Sequence, residues 1–161
     1  MQLGRIHRHF SKVVYKDLDM YSVLYHPRYF EFTDTARNQA FQDFGYPIEE
    51  QMQDKVGFTV AGIENVAFMR PLFMGETISI FTEVVSVSTK SCVVWHWINL
   101  GNDESDILTT EDKFSEAVFK AQFRFVFVDI SDISEFPLSA QNINGMKAIP
   151  FNEKVKSRLK F

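Results

Sequence analysis

The chain has one cysteine, Cys92, in 161 residues, so no internal disulfide can form and the composition fits a reducing compartment. Nor is there an excess of basic charge: 17 lysines and arginines stand against 21 aspartates and glutamates, a formal net charge of −4. Binding to nucleic acid needs a basic face for the phosphates, and this balance argues against that class. No apolar run reaches the length of a membrane span. The opening residues, MQLGRIHRHF, lack the apolar centre of a secretion signal, and the chain reads as cytoplasmic. With no repeat, low-complexity tract or sign of a second domain, residues 1–161 are expected to form one domain. Its core is expected over about 7–130, with a basic tail over about 140–161.

What the chain has in quantity is phenylalanine, 17 residues of it, which the composition reads as a Phe-rich core and subunit interface. Residues 7–17 form a first strand candidate, with Val13 and Val14 beside Tyr15. Residues 27–44 carry apolar or small side chains at helical steps: Phe30, Thr33, Ala36, Ala40, Phe41 and Phe44. Pro27 suits the first position of that helix and Gly45 its left-handed cap. After Pro47 a short acidic stretch, IEEQMQD, is expected in solvent.

The period then changes, and residues 57–69, 76–88, 91–100 and 116–129 read as strands. The last is the clearest, with Phe119, Ala121, Phe123, Phe125 and Phe127 alternating against Lys120, Gln122 and Arg124. One early long helix followed by antiparallel strands is an α+β pattern in which a sheet wraps one helix. Residues 102–112 are acidic and read as an exposed connection.

The chemistry concentrates between residues 13 and 45. Asp19 lies on the approach to the helix, and His26 stands immediately before Pro27. A carboxylate next to a helix N-terminus lies beside unsatisfied backbone N–H groups. Acyl transfer uses that pair: a group that attacks or activates water, and donors for the developing oxyanion. The residue types leave alternatives open. Asp19 can be a general base or nucleophile, or an aspartate that caps a turn. Asp17, two residues earlier, is its rival. His26 can act through its imidazole, through its backbone N–H, or only as a cap.

Tyr15, Asp19, Tyr25 and His26, with the aromatic, acidic and Ala36–Arg37 positions of the helix, resemble the signature of the 4-hydroxybenzoyl-CoA thioesterase family. The nearest flavour is its Tol-Pal-associated acyl-CoA thioesterase branch. The likeness is tight over residues 13–45 and continues loosely through Arg70-Pro71-Leu72, Gly75-Glu76 and residues 123–129. It implies the hotdog fold, hydrolysis of an acyl-CoA or acyl carrier protein thioester, and a dimer or tetramer whose sites lie at the subunit interface. It implies no cofactor or metal. It selects Asp19 over Asp17 as base or nucleophile, with His26 and Tyr15 in the catalytic group and Tyr25 at the substrate. The chain departs from it at Ser22, where the family has glycine.

Coenzyme A carries phosphates, and Arg70, Lys90, Arg124 and the basic residues of 154–160 are the candidates to meet them. Glu31 and Asp34 are fallback carboxylates on the helix. His7 and His9 share the spacing of a metal grip but have no third ligand. Trp95 and Trp97 share a strand face and read as packing residues, as does Cys92. The same Asp and His would also suit a hotdog hydratase or dehydratase, and Ser22 leaves room for a binding module without turnover.

Overall fold

The computed structural model describes residues 6–101, 113–131 and 149–158. Five strands form one antiparallel sheet in the order β1-β3-β4-β5-β2. They are β1 (Ile6–Lys12), β2 (Val56–Phe68), β3 (Thr77–Val87), β4 (Ser91–Leu100) and β5 (Ala117–Asp129). Among the described residues three α-helices accompany them: α1 (His26–Asp43), α2 (Ile48–Gln53) and α3 (Glu153–Arg158). No described helix is long and apolar enough to cross a membrane. The segment 102–112, expected as an exposed connection, lies outside the described residues.

The alternation in β5 sets the core. Phe119, Ala121, Phe123, Phe125 and Phe127 are all buried against the face that α1 covers. From the helix, Tyr29, Thr33, Ala36, Ala40 and Phe41 go down onto that face. Gly45 ends α1 at φ +88°, and its N–H and that of Tyr46 reach back to the carbonyls of Gln42 and Phe41. The opposite sheet face holds a smaller cluster in which Trp97 stacks on Phe81, centroids 5.0 Å apart.

Three local expectations need correction. β1 stops at Lys12, and Tyr15 lies in a 3₁₀ turn (Tyr15–Asp17) rather than on a strand. The cause is Asp17: its carboxylate accepts the Val14 N–H at 3.0 Å and its own N–H donates to the Val14 carbonyl, which diverts the chain from the sheet. The acidic stretch around α2 is not simply solvated. Gln51 is buried, and its amide donates to the Tyr46 carbonyl at 2.9 Å. Residues 154–158 are not a free basic tail. Lys154 pairs with Glu50 and Asp54 at 2.6 Å, Arg158 pairs with Glu50, and Phe151 and Val155 enter the core. Hydrogen bonds from Lys154 hold both carboxyls below the usual range.

His96 is fully buried on β4, shares a hydrogen bond with Thr82 through Nδ1 at 3.1 Å, and packs edge-on to Phe123. Desolvation pushes its pKa down to about 3. Below the unfolded value of ~6.5 only the unfolded chain takes the proton, so stability falls as pH drops through that window. Between pH 7 and 4 this costs about 3 kcal/mol. Urea unfolding of wild type and His96→Leu across that range should show the wild type losing that much more than the variant. Parallel pH profiles would contradict it.

Candidate functional site

Between the 3₁₀ turn and α1 the chain makes a short loop pinned at both ends. Leu18 bridges to Leu24, and Val23 bridges to Phe73 ahead of β3. Inside the loop the Asp19 N–H donates to the Val23 carbonyl at 2.8 Å, and the Ser22 N–H donates to the Asp19 carbonyl at 3.0 Å. This geometry needs a left-handed residue, and Ser22 supplies it at φ +62°. The serine therefore adopts the backbone region a glycine would use, at a cost of roughly 1 kcal/mol.

The Asp19 side chain partly closes the same loop. Its Oδ1 accepts the Tyr21 N–H at 2.8 Å and the Val23 N–H at 3.5 Å. Its other oxygen has no hydrogen-bond partner among the described residues. The carboxylate is thus fixed at one oxygen and available at the other.

Helix α1 begins at His26, with Tyr25 as its cap. Pro27 has no N–H, and that of Arg28 is used by the Tyr25 carbonyl at 2.8 Å. The His26 N–H is left as a donor without a partner among the described residues. Asp19 and His26 line one cleft of about 340 Å³ together with Leu24, Tyr29, Phe68 and Arg70.

Arg70 is braced there. Its Nη2 pairs with Glu76 at 2.8 Å, and the other Glu76 oxygen accepts the Phe73 N–H at 2.8 Å. Tyr29 is buried, its hydroxyl lies 3.5 Å from the Arg70 carbonyl, and burial raises its pKa.

The other residues singled out in the sequence go elsewhere. Tyr15 is 82% exposed on its turn and does not line the cleft. Tyr25 is half-exposed, its ring edge-on to the His26 imidazole with centroids 5.0 Å apart. Lys90 sits in the hairpin joining β3 to β4, whereas the cleft adjoins the opposite end of β3. The length of β3 puts them roughly 30 Å apart. Arg124 lies across Gly62 on the sheet. Asp17 is buried as the anchor of the 3₁₀ turn, and Glu31 and Asp34 are paired with Arg28 and Arg37. His7 Nε2 bonds Asp43 at 2.7 Å, and no group of His, Cys, Asp and Glu among the described residues is arranged to hold a metal.

Leu24, Tyr29 and Phe68 of the cleft escaped the sequence reading. Tyr29 could have been found, because residues 29, 33, 36 and 40 share a helical face. Phe68 could not, since nothing in the strand pattern of 57–69 sets it apart from its neighbours.

A five-stranded antiparallel sheet wrapped on one long helix, with a carboxylate on the loop that enters the helix, is the hotdog arrangement. Comparison with known families agrees: residues 13–159 match the thioesterase-like superfamily, and the chain belongs to it. That match is to the superfamily as a whole and does not single out the Tol-Pal-associated branch. No curated protein sequence matches the chain.

Among solved structures, 4-hydroxybenzoyl-CoA thioesterase, as an aspartate-to-asparagine variant complexed with 4-hydroxybenzoyl-CoA, superimposes with a TM-score of 0.75 at 16% identity. The alignment covers 98% of this chain and 100% of that one. A gentisyl-coenzyme A thioesterase gives 0.70 at 16% identity over 92% and 98% of the two chains. A Staphylococcus aureus protein solved in complex with CoA gives 0.72 at 9% identity over 99% and 84%. These likenesses establish the hotdog fold.

Proposed function

We propose that the protein is a thioester hydrolase acting on an acyl or aryl thioester of coenzyme A, or of acyl carrier protein. The observation that carries the reading is the pairing, in one cleft, of an Asp19 oxygen without a partner and the unspent N–H of His26 at the start of α1. Asp19 activates a water, or attacks the thioester carbonyl itself. The N–H of residue 26, with the dipole of α1 behind it, takes the oxyanion. Thiolate is a good leaving group, so no strong general acid is required. Arg70, held by Glu76, offers a cation to the substrate from the cleft wall. The structural neighbours, two CoA thioesterases and a protein solved in complex with CoA, point the same way. Ser22 keeps the left-handed turn, which supports turnover over a binding module. Release of free thiol from a panel of acyl-CoAs tests the reading.

The reading includes a dimer, and the two sheet edges differ in fitness for one. β1 presents Arg8 and Lys12, charges that discourage pairing. β2 is the other edge and exposes Val60, Ile63 and Val66. We assign the subunit contact to β2. Ile63→Lys should shift the species seen by light scattering from dimer or tetramer to monomer at micromolar concentration. A wild type that is already monomeric would overturn the assignment.

A further inference from the structure

Two aromatic rings, Tyr29 and Phe68, form one side of the cleft, with further rings behind them. Phe68 is half-exposed at the end of β2, and its centroid lies 5.2 Å from that of Tyr29 and 5.1 Å from that of Phe119. Tyr29 and Phe119 are themselves 5.1 Å apart, so the three rings close on one another. Phe30 packs behind them, 5.6 Å from Phe119 and 6.2 Å from Phe123. Phe119 and Phe123 are buried and belong to the core between α1 and the sheet. Of the wall, Phe68 is the ring that both faces solvent and lines the cleft, while the core fixes the rings behind it.

A well-packed interior admits nothing larger without moving side chains. An apolar cavity of about 150 Å³ accommodates benzene. A cleft of about 340 Å³ therefore has room for one ring, or a few methylenes, together with the thioester. A longer chain that continues toward the rings meets Phe68.

We infer that Phe68 is the specificity-determining residue of the site: its ring sets the length limit of the acyl group. The inference rests on the thioesterase reading for the identity of the ligand. It goes beyond that reading in naming one side chain as the stop.

S-alkyl-coenzyme A thioethers test it, because they bind without being hydrolysed. Each methylene that becomes buried is worth about fourfold in affinity. By calorimetry, the wild type should gain affinity from methyl through the first few carbons and then level off, with S-benzyl-coenzyme A still well bound. Phe68→Ala should extend the climb by at least two methylenes, about fifteenfold in the octyl-to-benzyl affinity ratio. Phe68→Leu, which keeps a bulky core contact, should fall between them. A wild type whose affinity rises through octyl without levelling overturns the inference before any variant is made. A folded Phe68→Ala with the wild-type ratio overturns it as well. A plateau in these thioethers with no thiol released from acyl-CoAs would leave the wall standing and remove the hydrolase reading. Turnover without a plateau would do the reverse.

Discussion

Asp19→Asn should leave the protein folded and lower thioester hydrolysis by ~100-fold or more, the scale of general acid–base catalysis. The substitution suits the site. The Oδ1 contacts that close the loop are acceptances from the Tyr21 and Val23 N–H groups, and the asparagine carbonyl oxygen can make them too. What is lost is the charge at the oxygen with no partner, so the loop persists and the base does not. Steady-state thiol release, with circular dichroism as the control, reads the effect. A folded variant with near wild-type turnover would move the chemistry off Asp19. The other nearby carboxylates make poor substitutes, since Asp17 is tied to the Val14 N–H and Glu31 and Asp34 to arginines.

Position 26 should divide backbone from side chain. His26→Ala keeps the N–H and should cost little. His26→Pro removes it and should cost roughly 100- to 1000-fold, the range for deleting an oxyanion donor. Proline is tolerated in the first helical turn because its missing donor is not needed by the helix. Position 26 is the first residue of α1, where the N–H has no intrahelical partner, so the fold should survive. Comparing kcat for the two folded variants checks this. An alanine variant as inactive as the proline one would give the work to the imidazole.

The helix and the strands were legible because their apolar residues repeat with the period of the element. Phe119 to Phe127 alternate, and Thr33 to Phe41 return every three or four positions. Spacing put a carboxylate near the helix that the loop enters but left Asp17 as a rival, and the family resemblance selected Asp19, which shares a cleft with His26. Tyr15 was misplaced because a side chain, Asp17, took the backbone donor that would have continued β1. That competition is decided by geometry that a strand pattern does not encode.

Lys154 and Arg158 were misread as a free basic tail for a different reason. Basic character says that an anion is near, not which one. For Lys154 and Arg158 the anions are Glu50 and Asp54 of the same chain, about a hundred residues away in sequence. Phe68 and Arg70 join the cleft only through the pairing of β2 with β5 and the Val23–Phe73 bridge, both long-range.

The most direct measurement is the release of free thiol from a panel of acyl- and aroyl-CoAs by the purified protein, beside its Asp19→Asn variant, with an enoyl-CoA included and its absorbance followed. The account expects saturable thiol release from at least one member, abolished or nearly so in the variant, and no change at the enoyl double bond. Hydration of the enoyl group without thiol release, or thiol release equal in both proteins, would contradict it.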